Sequence, residues 1–461
     1  MRKGTGLSIG LALGLLLTVS GCTTTSARPQ VSQQVATGQT LTVALYPYVP
    51  RQAQFQAAIT TAWASVQPNV PLTFLDESQW DGGYKKDPPA NADVYVFDAM
   101  FFEYFRAKGW LEAMAPSEIA NADDFVQYAK AGVQSGGSYY AIPQLGCASI
   151  LFYQKTDTAL DSASTLSEVK NALSQCTYTS KVPPDRRGLM VDMSGGTTNA
   201  ATYLATLSSL TGAYPPPLSN QIDPAAMSNV RLLLAMASYE NGTDGSDQRP
   251  AWFSQGWGRA VIGFTESMSA MSPETRLGID FKVMPLSDND NSPMFYADVV
   301  GVNTTTNQRG TRNLAVQLAN LMASRDTMLA SIGPDGTQPY PQFLMATRPS
   351  VFQSLGQSFP IYNEMYSLVT QDNPVMFKLD AGVRDWLTAM KTNISNSALS
   401  DYPCGCDFPA DGLITDDSAA AAACNPVCAG HGGWSGTWTN QPPAAQDGNA
   451  ACGCNACPVP Q

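Results

Sequence analysis

Histidine is almost missing from this chain. Its 461 residues contain one, His431, inside a cysteine-rich C-terminal stretch. That scarcity excludes the usual imidazole partner for a nucleophilic cysteine elsewhere in the sequence. Basic residues are also scarce: 26 Lys and Arg stand against 38 Asp and Glu, for a net charge of −12. A chain this acidic lacks the electrostatic footprint of a nucleic-acid binder, so no nucleic-acid partner is expected, although a small cation would be attracted. After the N-terminal leader no run is long and apolar enough to cross a bilayer. No Lys-Ser/Thr follows the glycines of Ser194-Gly195-Gly196-Thr197-Thr198, which excludes a P-loop. That stretch reads as a turn with a Ser/Thr N-cap, with a backbone anion site as the alternative. There is no internal repeat and no heptad array.

What is present begins with a leader. Arg2 and Lys3 precede an apolar run, Leu7 to Val19, that ends at Val19-Ser20-Gly21-Cys22. The run is short for a membrane span and reads as a secretory signal over residues 1–21. LTVSGC resembles a bacterial lipobox, which implies cleavage before Cys22 and lipidation of its thiol. An ordinary cleaved signal with an incidental cysteine is the alternative. The protein is therefore expected to be exported and lipid-anchored, or otherwise secreted, with a mature charge near −14 once Arg2 and Lys3 are removed. Residues 22–39 are rich in Ser, Thr and Gln and read as a flexible tether.

With Cys22 assigned to lipid and Cys147 set aside, eight of the ten cysteines remain: Cys176, Cys404, Cys406, Cys424, Cys428, Cys452, Cys454 and Cys457. An even number in an exported chain allows up to four disulfides of undetermined connectivity. Residues 403–461 hold seven of them and no Lys or Arg. This reads as an appended, disulfide-stapled extension with little apolar core. Zinc at Cys454-Asn455-Ala456-Cys457 is the rival reading, weakened by the poor spacing of any second pair.

Residues 40–402 exceed one ordinary domain, so two lobes are expected. Strands are predicted at Leu41–Leu45, Pro71–Leu75, Asp93–Asp98, Tyr139–Ile142, Ile150–Tyr153, Leu189–Met193, Ala260–Phe264, Phe281–Pro285 and Tyr296–Val302. Helices are predicted at Gln52–Val66, Phe101–Lys108, Leu166–Leu173, Asn199–Thr211, Val230–Tyr239, Thr311–Ala323, Thr327–Ile332, Ile361–Leu368 and Ala381–Ile394. Strand, helix, strand in that order implies a parallel α/β sheet. Two such lobes with strands crossing between them describe a hinged binding fold with its site in the cleft.

Cys147, in AIPQLGCASILFYQ, is the candidate nucleophile. Without an imidazole nearby, its base would be a carboxylate, and Glu266 in VIGFTESMSAM is the candidate. The plain alternatives are a small buried apolar residue for Cys147 and a solvated strand-end charge for Glu266.

Eight stretches, in order from about residue 41 to 395, together resemble the thiaminase I (thiamine pyridinylase) family, built on the type II periplasmic-binding-protein fold. They are TVALYPYVPRQAQFQAA, DPPANADVYVFDAMFFEYF, YAIPQLGCASILFYQK, GLMVDMSGGTTNA, AWFSQGWGRAVIGFTESM, MFYADVVGVN, DGTQPYPQFLMATR and VRDWLTAMK. The resemblance implies a base exchange on thiamine, with an amine or thiol as the second small substrate. It puts the attacking sulfur on Cys147 and the base on Glu266. It puts substrate contacts on Tyr46, Tyr48, Tyr84, Asp98, Tyr296 and Asp298, whose carboxylates suit an aminopyrimidine and whose rings suit stacking. No metal, no cofactor and a monomer are expected. Phe264 departs from the family, which commonly has a tyrosine there, and in Asp247-Gln248-Arg249-Pro250 Gln248 occupies the place of another family tyrosine. Nothing in the family pattern matches the tail. A lipid-anchored solute-binding protein for thiamine or a related molecule is the competing expectation, since fold does not fix function. A related enzyme acting on a thiamine analogue is the third.

Overall fold

The computed structural model describes residues 38–173, 188–191, 196–239, 248–398, 406–440, 445 and 448–455. The leader, the tether up to Thr37, Cys22, Cys176, Cys404 and Cys457 lie outside the described residues.

The chain starts with β1 (Leu41–Ala44), β2 (Leu72–Phe74) and β3 (Val94–Asp98), and β1 pairs in parallel with both others. The crossover from β1 to β2 is the helix Gln52–Val66, which buries Phe55, Ile59 and Trp63 on one stripe. Burying a residue of the Ile or Phe class contributes about 1.5–3 kcal/mol, so this stripe holds the helix on the sheet. A hairpin follows, β4 (Gln134–Ser135) with β5 (Ser138–Tyr139), turned by Gly136 and Gly137 at φ 57° and 82°. Then comes β6 (Ile142–Cys147), which ends on the candidate nucleophile.

After two intervening residues the chain enters a second sheet with β7 (Ile150–Gln154). That sheet adds β8 (Leu189–Met190), β9 (Ala237–Tyr239), β10 (Ala260–Gly263) and β11 (Ile279–Val283), in the order β11-β7-β10-β8-β9. The chain then returns through β12 (Met294–Val302), β13 (Met345–Ala346) and β14 (Val375–Met376). These complete a seven-stranded sheet of order β13-β6-β12-β3-β1-β2, with β14 on β12. The architecture is thus two α/β lobes joined at the β6–β7 and β11–β12 crossings. All five residues of β3 are buried, as befits a strand covered on both faces.

Several expectations change. The first sheet is mixed, because the long return strand β12 runs antiparallel to β3 and β6. The strand predicted at Tyr139–Ile142 divides, since the Gly136-Gly137 turn claims Tyr139 for the hairpin. The helix predicted at Val230–Tyr239 is Pro224–Ala235, started by Asp223 as N-cap and Pro224 in its first turn; Ala237–Tyr239 is strand β9. The strand predicted at Leu189–Met193 is described only as Leu189–Met190, and the following helix begins at Gly196. Residues 192–195, with most of the glycine turn, lie outside the described residues.

The tail builds a third sheet from β15 (Cys406–Pro409), β16 (Trp434–Thr439) and β17 (Ala451–Cys454), ordered β15-β17-β16. The helix Asp417–Cys428 packs on it through disulfides Cys424–Cys452 and Cys428–Cys454. Cys454, half of the C-x-x-C considered for zinc, is therefore committed to Cys428. The tail has its own small cluster of buried residues, including Ala410, Ile414, Ala420 and the four bonded cysteines.

Candidate functional site

Strand register builds the centre of the site. Cys147 on β6 is opposite Tyr296 on β12, and Asp298, two residues further along β12, is opposite Asp98 on β3. Residues two apart on a strand share a face, so Tyr296 and Asp298 present Cys147 and Asp98 on one surface. The ladder between β12 and β6 shifts register just beyond Asp298. Such an irregularity re-aims side chains and is common beside functional sites.

Asp98 ends β3 and caps the next turn, its Oδ1 accepting from the Met100 N–H at 2.8 Å. Its Oδ2 accepts from the Tyr84 hydroxyl at 2.8 Å, and Tyr84 meets the Tyr46 hydroxyl at 3.2 Å. Tyr48 joins these rings edge-on, its centroid 5.4 Å from Tyr46 and 5.8 Å from Tyr84, and is 59% exposed. Gly82 makes the arrangement possible. It sits at φ +75°, and a Cβ there would lie 2.5 Å from a ring carbon of Tyr46. The Asp81 carboxylate holds the same loop by accepting from the N–H groups of Gly83, Lys85 and Lys86.

The second lobe supplies Glu266, on the 3₁₀ turn Thr265–Ala270 that follows β10. Phe264, just before the turn, is 40% exposed and packs edge-on to Tyr296 at 6.1 Å. Gln248 opens the helix Gln248–Ser254 of the same lobe. Two neighbours were not legible in the sequence. Phe377 backs Tyr296 at 4.9 Å between ring centroids, and Tyr128 lies behind Gly146, where a Cβ would come 2.4 Å from its hydroxyl. Each contact joins segments far apart in the chain, and neither residue carries a local motif.

Burial and neighbouring carboxylates dominate the electrostatics of the site. Burial first, then the charges of Glu266, Asp298 and Asp98, push the Cys147 thiol well above its ordinary value, while the Ala148 N–H opposes this weakly. Cys147 is thus a protonated thiol at rest, the one free cysteine among the described residues and partly exposed. Burial raises Asp98 to about 6, against lowering hydrogen bonds from Met100 and Tyr84. Asp298 is raised well above its ordinary value, first by burial, then by Asp98 and Glu266. Two carboxylates in register cannot both ionise cheaply in such a setting. The site therefore offers paired carboxyl groups that resist ionising together, a thiol with carboxylates around it, and tyrosine rings for a flat partner. Among the described residues no group of three or more potential metal ligands is found.

A family profile described as Thiaminase-1 domain matches residues 148–287, a span that begins at the residue after Cys147 and includes Glu266. Thiaminase-1 of Paenibacillus thiaminolyticus is 36% identical over 395 residues, covering 84% of this chain and 93% of that protein. The structure of Clostridium botulinum thiaminase I in complex with thiamin superposes with a TM-score of 0.73 at 36% identity, over 78% of this chain and 99% of that one. A maltose-bound binding protein of T. maritima superposes with a TM-score of 0.55 at 13% identity, over 78% of this chain and 97% of that one. The last likeness establishes the periplasmic-binding-protein fold alone.

Proposed function

The chain belongs to the thiaminase I family, and we propose that it degrades thiamine by base exchange through a covalent bond to Cys147. Glu266 takes the thiol proton as sulfur bonds to the pyrimidine ring. The ring loses its aromaticity, and its electrons expel the thiazolium from the methylene carbon as a neutral thiazole. An amine or thiol then adds at the methylene, the C–S bond breaks, and the proton returns to sulfur.

The observation that carries this reading is the crowding of Glu266, Asp298 and Asp98 around one free thiol in a buried cleft. Since the thiol is protonated at rest, it needs a base at the moment of attack, and the carboxylate arriving from the other lobe suits that role. Asp98 and Asp298 would read the aminopyrimidine, one carboxyl group accepting from its exocyclic amine and the other pairing with a ring nitrogen. Tyr46, Tyr48, Tyr84 and Tyr296 would stack on the pyrimidine and face the thiazolium cation. No metal or cofactor enters this chemistry. We place the working protein outside the cytoplasm as a monomer, held to a membrane by a lipid on Cys22.

The test is to incubate the purified protein with thiamine plus an amine and to look for the exchanged pyrimidine. With thiamine alone, the peptide containing Cys147 should gain the mass of the pyrimidine-methylene group. Tight, reversible thiamine binding with neither product would instead identify a solute receptor.

A further inference from the structure

Arg384 makes more contacts than a surface ion pair requires. It lies in the first turn of the helix Val383–Ala398, with its side chain only 13% exposed. Its Nε donates to the Gly83 carbonyl at 3.1 Å, and its Nη2 donates to the same carbonyl and to that of Lys86 at 2.7 Å. Its Nη1 donates to Asp87 at 2.5 Å. Beneath, the guanidinium lies over Tyr104 at 4.7 Å, Phe105 at 5.3 Å and Phe101 at 5.7 Å. The loop it grips carries Tyr84 between its two carbonyl partners, and Tyr84 packs edge-on against Phe101 at 5.4 Å.

The rest of that helix is fastened to the other lobe. Trp386 Nε1 donates to the Ser219 carbonyl at 2.8 Å. Ser395 Oγ accepts from Asn199 at 3.0 Å, and the Ser397 carbonyl accepts from Arg231 at 2.6 Å. Ser219, Asn199 and Arg231 all belong to the segment between β8 and β10. One helix is thus tied at its start to the Tyr84 loop and along its length to the lobe that carries Glu266.

We propose that Arg384 is a positioning residue that holds the Tyr84–Asp98 hydrogen bond in register with the second lobe, so that both halves of the cleft assemble together. The inference rests on reading Tyr84 and Asp98 as the substrate-binding half of the site. Arginine suits the role because a planar fork bonds two carbonyls at once, whereas lysine presents a point charge.

The experiment compares Arg384→Ala, Arg384→Lys and Tyr84→Phe, singly and combined, in the full-length protein. Arg384→Ala should lower kcat/KM for thiamine by about 10²-fold, chiefly through KM, as small displacements of a positioned group do. Added guanidinium ion should restore much of this loss, and Arg384→Lys, which keeps charge and stem, should restore little. In the Tyr84→Phe background the further effect of Arg384→Ala should be small, because both changes cut one chain of contacts. Unchanged kinetics in Arg384→Ala, or an equal fold-loss with and without Tyr84→Phe, overturns the proposal.

Amide hydrogen exchange over residues 81–87 gives a readout that needs no turnover. It should quicken in the Ala and Lys variants alike, and unchanged protection in both overturns the proposal. If the wild-type protein neither binds nor cleaves thiamine, the proposed function fails, while hydrogen exchange still decides the role of Arg384.

Discussion

At the scale of single residues, the site depends on carboxyl and thiol groups pushed out of their ordinary ranges by burial. Cys147→Ser should abolish pyrimidine exchange while leaving thiamine binding close to wild type, as checked by the exchange assay and a binding titration. Glu266→Gln keeps size and polarity but cannot accept the thiol proton, so kcat should fall by about 10²–10⁴-fold. Asp98 gives a stability prediction with a definite sign. Its folded value of about 6 lies above the ordinary 3.8, so the native state binds the extra proton. The associated stability is complete below pH 3.8 and is lost as pH rises through about 6. Asp98→Asn removes that dependence and can still accept from the Met100 N–H. It should gain on the wild type by roughly 3 kcal/mol across that window and then level off, measured by denaturant unfolding at several pH values.

At the scale of elements, two local geometries fix what the side chains cannot fix alone. The first is the Asp81–Asp87 loop, where Gly82 combines a positive φ with the closest approach of the Tyr46 ring. Gly82→Ala should displace Tyr46 and raise KM for thiamine by about tenfold or more, since a positioned ring is moved rather than removed. Steady-state kinetics beside an unchanged circular dichroism spectrum checks this.

The second geometry is the stapling of the tail. Cys424 and Cys428 are four apart on a helix, a rise of about 6 Å. Cys452 and Cys454 are two apart on a strand, a rise of about 6.6 Å. Both pairs present sulfur on one face at matching intervals, so two bonds can form side by side, and the bonds formed are Cys424–Cys452 and Cys428–Cys454. With sequence separations of 28 and 26, each closes a loop whose loss should cost roughly 3–4 kcal/mol. Replacing Cys424 and Cys452 with alanine should lower the melting of the tail in calorimetry while exchange activity stays near wild type, because none of the tail's described residues enters the site.

At the scale of the whole molecule, the cleft is a product of chain crossings. β6 delivers Cys147 at the point where the chain leaves the first sheet, and β12 brings Tyr296 and Asp298 back beside it. Between those two strands the chain makes the second sheet, which supplies Glu266 on the turn just after β10. A thiol and a carboxylate supplied by different lobes make assembly of the site depend on how the lobes meet, and the helix Val383–Ala398 is hydrogen-bonded to both halves.

Much of this was legible in the sequence, for identifiable reasons. Helices such as Gln52–Val66 and Leu166–Leu173 appear over the residues their apolar spacing marked, and β3 over its run of Val, Tyr and Phe, because periodicity is local information. The order of similar stretches was enough to indicate the family and to nominate Cys147 and Glu266. What failed was what neighbours decide. Ala237–Tyr239 became a strand because a sheet edge was there to receive it, and β12 runs against β3 and β6 because of the path the chain takes home. The Asp98–Asp298 register, the elevation of their pKa values and the grip of Arg384 on the Tyr84 loop belong to the tertiary structure alone. The sequence by itself determined which residue types and periodicities exist, since these are properties of adjacent positions. Only folding decided which distant charges share a cleft, since desolvation and proximity arise when remote segments exclude water together.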